Sequence, residues 1–279
     1  MRFLTAGNLA QLFIIPLIVA GFSVGVFLTF EFILTEHRTP QDFLNDIKVG
    51  GASRRWQAAH ELAKYLSTSN AQVRSDRFVR EMISVYRDVR RDNPKVRRYL
   101  TLALGRLEDP RVVPLLLEAL DDPDDQTRLY AVWALGNVSD LAAAPGILNA
   151  LSDPEPGVRK MAAHVLGTLG APGVTGGLRA ALQDPSEDVR WNAALGLARL
   201  EDRTGVAIIG RMMDRDYLDT LPRMDEALKE EAMMSAITAI VMLRETSFVP
   251  LLTGLSEGDR NMRVREAARV ALERMTVDG

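Results

Sequence analysis

From Asp122 to Leu200 the apolar positions follow one pattern three times over. A polar leader, Asp122-Pro123-Asp124-Asp125-Gln126-Thr127-Arg128, runs into Ala131, Ala134, Leu135, Gly136 and Val138. The segment 153–159 leads in the same way into Ala162, Val165, Leu166, Gly167 and Leu169, and 184–190 into Ala193, Gly196, Leu197, Ala198 and Leu200. Spacings of three and four place each set on one face of a helix. Arg97, Arg128, Arg159 and Arg190 stand 31 residues apart. Between them the apolar runs 112–120, 143–151, 174–182 and 206–213 predict a second helix per unit. A fixed period of this size means stacked helical pairs, because each unit alone would leave its apolar face in water.

The pattern extends outward with interruptions. Arg55, Ala58 and Leu62 start a first unit, and the next begins 42 residues later at Arg97. The extra length lies in Val73 to Arg91, where Phe78, Val79, Met82, Ile83, Tyr86 and Val89 share one helical face. Arg74, Arg77, Arg80, Arg87, Arg90 and Arg91 form the other. After Met213 the register breaks, and residues 214–225 are too long for a tight connection, which makes Tyr217 and Arg223 of this loop candidate partner-binding residues. It resumes with Met233 in the arginine place before Ala236, Ile240 and Leu243, and closes with Asp259, Arg265, Ala268, Ala271 and Leu272. This gives about seven units, with the first and last as caps. The fold class is all-α, an α-solenoid.

A different pattern occupies the N-terminus. No charged side chain falls between Phe3 and Phe30, and Leu9 to Phe30 is almost continuously apolar. About 20 apolar residues suffice to cross a bilayer as a helix. The expected layout is a tail at 1–8, a transmembrane helix at 9–34, a juxtamembrane linker at 35–52 and the solenoid at 53–279. Gly21 and Gly25 offer a helix–helix contact of the small-x-x-x-small kind. Arginines and lysines downstream favour a single-pass inner-membrane protein with a cytoplasmic solenoid, the periplasmic orientation being the alternative. The six arginines of 74–91 then become candidates for contact with anionic headgroups.

Composition narrows the function. With 47% hydrophobic and 25% charged residues the chain is that of a folded protein. Residues 51–100 carry 12 Lys+Arg against 5 Asp+Glu, whereas 101–279 carry 19 against 28. The acidic balance over the array opposes nucleic-acid binding. There are no cysteines, which removes disulfides, thiolate metal sites and cysteine nucleophiles. The three histidines, His37, His60 and His164, are too scattered to form a helical metal pair, and no phosphate-loop, nucleophile-elbow or dinucleotide motif occurs. No cofactor is expected.

The repeat residues have structural explanations. Aspartate at the start of each unit suits an N-cap, and proline beside it suits the first helical position. Alanine at 131, 162, 193 and 268 allows close helix approach, while leucine at 135, 166, 197 and 272 fills the core.

These features resemble the HEAT-repeat family, in the short bacterial form that also occurs in phycobilin lyases, over about residues 53–275. HEAT repeats pair an aspartate with a basic residue six positions later, as Asp122/Arg128, Asp153/Arg159, Asp184/Arg190 and Asp259/Arg265 do here. By that resemblance these residues should form a structural ladder between adjacent repeats and not a catalytic site. The second unit departs from the pattern, with Arg91 six before Arg97, and the sixth lacks the pair. The resemblance further implies that second helices line a binding surface, which makes Glu118, Asn149, Arg179 and Arg211 candidate contacts. The expected function is a non-enzymatic, membrane-anchored scaffold for a partner protein. The alternatives are an accessory subunit of a membrane complex and a phycobilin-lyase-like enzyme.

Overall fold

The computed structural model describes residues 17–26, 38–68, 75–89, 91–222 and 224–277. The chain divides into two compact units, Met1–Asp42 and Phe43–Gly279. In the first unit, residues 17–26 (α1) are helical and exposed throughout. Among the described residues no helix is long and apolar enough to cross a membrane. That finding overturns the expected transmembrane helix at 9–34 and, with it, the inner-membrane location. Of that span, only 17–26 lie within the described residues. Hydropathy counts apolar side chains, whereas a span also needs one helix long enough to cross the hydrocarbon core.

The second unit is an all-α repeat solenoid. Its first helices are α3 (Ala52–Thr68), α5 (Pro94–Gly105), α7 (Asp125–Val138), α9 (Pro156–Leu169), α11 (Glu187–Arg199), α14 (Glu226–Leu243) and α16 (Met262–Val277). Each packs on the next. Second helices α4 (Asp76–Asp88), α6 (Val113–Ala119), α8 (Ala144–Asn149), α10 (Thr175–Ala181), α12 (Val206–Met212) and α15 (Val249–Gly258) form the other layer. The seven expected units thus appear as six hairpins followed by α16 among the described residues. In the stretch read as a linker, Pro40–Val49 is helical (α2) and buries Phe43, Leu44 and Ile47. The leucines at 62, 104, 135, 166 and 197 recur in register and are fully buried between layers.

The helix starts differ from the sequence expectation. Asp122, Asp153 and Asp184 are not the N-caps; those are Asp124, Glu155 and Ser186, two residues later. A residue before proline is pushed out of the helical region, so the aspartate stays extended. Its carboxylate instead accepts the N–H of residue i+2, at 2.9, 2.8 and 2.8 Å in the three units, an Asx-type turn. Helix ends are equally regular. Glu108, Ser139, Gly170, Glu201 and Arg244 each follow a first helix with φ between 48° and 64°. Only one of the five is glycine, so the left-handed stop is periodic in conformation but not in residue type.

Candidate functional site

Arg97 binds Asp122 in a fork at 2.7 and 2.9 Å. Arg128 binds Asp153 at 2.7 and 3.0 Å, and Arg159 binds Asp184 at 2.7 and 2.9 Å. Each arginine therefore grips the aspartate of the following repeat, 25 residues on. The partners six apart meet through the main chain instead: Arg128 donates to the Asp122 carbonyl and Arg159 to the Asp153 carbonyl, both at 2.9 Å. Arg190 and Arg265 donate likewise to the carbonyls of Asp184 and Asp259, each at 2.5 Å. Arg128 and Arg159 thus each close their own turn and fasten the next, whereas Arg190 pairs with Glu187 of its own helix.

The irregular units join the same scheme. In the second unit Asp92, not Arg91, holds the aspartate place. It meets Arg55 at 2.5 Å, off the axis of a good hydrogen bond, and Arg97 donates to its carbonyl. In the sixth unit the aligned residue is Met233, and Arg215 from the interruption takes over. Arg215 binds Asp259 at 2.7 Å through both forks, and the Asp259 side chain is only 1% exposed. The interruption is itself partly ordered, with α13 at Arg215–Thr220 and Leu218 fully buried.

These pairs set the acid response. The Arg159 fork, opposed by desolvation, holds Asp184 below the ordinary carboxylate range. Asp259 is lowered too: desolvation pushes it up, but Arg215 and the Asn261 N–H outweigh that. A carboxylate depressed in the fold adds stability that is present above its unfolded value, about 3.9, and is lost as pH falls through the folded value. Thermal midpoints should therefore drop steeply below about pH 4, and Arg159→Gln should flatten that limb relative to the parent. Equal acid slopes in the two proteins would refute the linkage.

Second-helix positions remain outward. Glu118, Asn149, Arg179 and Arg211 are all exposed. Arg179 is engaged with Asp202, at 2.8 Å from Nε, so it ties α10 to the next connection. Arg211 lies over the Tyr217 ring, 4.1 Å from its centroid. The Tyr217 hydroxyl is buried without a hydrogen-bond partner, and burial, followed by the nearby Glu187 carboxylate, pushes it up to about 12. Beside this pair a cavity of about 530 Å³ opens between α12 and α15, lined by Arg211, Met213, Asp214, Phe248, Leu251 and Leu255 among others. Arg223 lies outside the described residues.

On α4, Arg77, Arg80 and Arg87 point outward opposite buried Phe78, Val79, Met82, Val85 and Tyr86, and Arg91 follows, also exposed. Arg80 pairs with Asp76, which also meets Arg111. Arg74 and Arg90 lie outside the described residues. The expected headgroup contact of this face rested on the membrane location and falls with it. Gly21 and Gly25 on α1 have open space beside them. His60 stacks edge-on against Tyr99, with centroids 4.8 Å apart. His164 sits on the outer side of α9; desolvation, then Arg199 and Lys160, lower its pKa. Among the described residues no cluster of His, Asp and Glu is arranged to hold a metal ion.

Comparison with known proteins adds three findings. The family described as HEAT repeats matches residues 80–146 and 144–220. Among solved structures, the complex of CpcE and CpcF of phycocyanin lyase from Nostoc aligns at 22% identity with a TM-score of 0.56, covering 88% of this chain and 96% of that one. The Escherichia coli protein YibA aligns at 18% identity with a TM-score of 0.52, covering 85% and 93%. At these identities the likeness speaks for the fold. No curated protein matches.

Proposed function

Because the matched segments span half of the chain, this protein belongs to the HEAT-repeat family, and from that premise we propose that it is a non-catalytic scaffold that binds a partner protein along its second helices. One observation carries this reading. The periodic charges that could have served chemistry are engaged in repeat-to-repeat forks, while the second-helix row ends in the open cavity beside Arg211 and Tyr217. Curved repeat arrays use such extended surfaces for recognition. Glu118, Asn149 and Arg211 then supply polar contacts along the row, and exposed Leu251 with Phe248 supplies an apolar anchor at its end. Aromatic and arginine groups that a partner covers commonly carry most of the binding energy.

The test is site-specific photo-crosslinking in cells. A benzophenone side chain is placed at 149, 211 or 251, and at 137 or 168 on the first helices as controls. Protein adducts are expected at the second-helix positions and not at the controls. Adducts confined to the controls, or none at 149, 211 and 251, would overturn the reading.

A further inference from the structure

The outer side of the first helices is closed along part of the array and open at its C-terminal end. In the register set by the ladder arginines, Arg106 of one repeat lies over Trp133 of the next, 4.6 Å from the ring centroid. The indole fills the furrow between α5 and α7, touching the place where a Gly105 side chain would stand. Two repeats from the end the same positions hold Arg199 and Thr238. Threonine is too small to fill the furrow, and it offers Arg199 no ring from α14 to lie over.

What opens there is a continuous apolar groove across α11, α14 and α16. One cavity of about 700 Å³ is lined by Met234, Ile237, Val241, Met242, Met262 and Val270, among others. A second, of about 240 Å³, shares Met234, Thr238 and Met242 with it and reaches Leu195 and Arg199. Met242 is 50% exposed and Met262 73% exposed. Unbranched thioether side chains of this kind adapt to varied apolar partners. Three helices at the usual spacing of about 9 Å spread the groove over roughly 18 Å, the length of about 12 helical residues.

Charge at the two ends identifies the occupant. Arg199 borders the groove on α11 and Arg274 borders it on α16. Neither has a hydrogen bond, an ion pair or a stacking partner among the described residues. Crowding by neighbouring side chains lowers the pKa of Arg199, although the residue remains exposed. The other rim charges are matched: Arg263 with Glu230, and Glu266 with Arg269.

We propose that the groove across α11, α14 and α16 is a docking site for an acidic amphipathic helix of a partner protein, its apolar face on Met234, Met242 and Met262 and its carboxylates on Arg199 and Arg274. An apolar groove with charged ends is the usual receptor for such a segment, read by anchors at i, i+3 or i+4, and i+7. The site lies on the layer opposite the second-helix surface and stands or falls independently of it.

Panning a displayed library of 16-residue helical peptides against the full chain tests the proposal. Enriched peptides should carry Leu, Met or Phe at helical spacing with Asp or Glu flanking them. Binding of the best synthetic peptide, read by fluorescence anisotropy, should fall at least about tenfold with Thr238→Trp, which refills the furrow as Trp133 does. Thr238 is exposed, so the variant should fold; unchanged circular dichroism checks this, and Met242→Lys serves if it does not. Arg199→Glu should weaken the same peptide about tenfold, and replacing the peptide's acidic residues by lysine should restore binding to that variant. No enrichment, enrichment of basic peptides, or undiminished binding to Thr238→Trp would overturn the proposal. So would sedimentation showing that the groove mediates pairing of two copies of this chain.

Discussion

Gly167→Val is expected to destabilise the array by about 3 kcal/mol, at the upper end of overpacking changes. A Cβ at Gly167 would stand 2.3 Å from the Cα of Gly196, so α9 and α11 touch backbone to backbone. No side chain can swing away, and the helices themselves must part. The neighbouring repeats show the graded form of the same contact: Gly136 faces Val165 side-chain atoms at 2.9 Å, and Gly105 faces Ala134 at 2.5 Å. Because each repeat is held mainly by its neighbours, separating α9 from α11 should also loosen the coupling between the two halves of the solenoid. Urea unfolding should show a lower midpoint with a broadened or split transition. Gly176→Ala is the control. Nothing lies within 4 Å of that added methyl, and Gly176 is the second residue of α10, so a gain in helix propensity of at most about 1 kcal/mol should appear alone. A Gly167→Val protein that unfolds like the parent would refute the close-contact argument.

The repeat and its layers were legible because they rest on burial. Leucines 31 residues apart can reach one core only as stacked helical pairs, and Leu135, Leu166 and Leu197 are indeed fully buried. The ladder residues could be named from the same spacing, but their pairing could not. A separation of six reads as an intra-repeat pair. The forks instead run 25 residues forward, because an arginine on one first helix lies beside the turn that opens the next. The left-handed helix stops were hidden for another reason. Glu108, Ser139 and Glu201 share a backbone angle but no side-chain chemistry. The open groove escaped because it follows from a missing volume: Thr238 matters only in comparison with Trp133, once the register across the interruption is known. The N-terminal error has the opposite origin. Side-chain hydropathy alone predicts a span there, whereas among the described residues no helix is long and apolar enough to cross a membrane.

The interruption after Met213 is where sequence spacing and physical role diverge most, and it supports the last prediction. Arg215→Met should cost about 2–4 kcal/mol, because it leaves the Asp259 carboxylate buried with its fork gone. The structure shows how Arg215 comes to be there. Asp214 caps α13, accepting the N–H of Asp216 at 3.0 Å and of Tyr217 at 3.3 Å, which sets Arg215 at the first helical position. Leu218 anchors the same turn in the core. From there the guanidinium reaches the turn before α16, a place that the buried Met233 on α14 cannot serve. The remaining partner of the carboxylate, the Asn261 N–H at 2.8 Å, cannot neutralise its charge. The loss should be local at first, since the last repeats depend on this rung for their attachment. Hydrogen exchange should quicken across 249–277 before it does across 125–200. Arg215→Met/Asp259→Leu should then recover most of the stability, because an apolar pair carries no charge to desolvate. If the single variant loses less than about 0.5 kcal/mol, or if the double variant is no better, Arg215 is a surface pair of the ordinary kind. The other outcome makes the interruption a part of the stack, supplying in trans to its own repeat the contact that the 31-residue pattern lacks there.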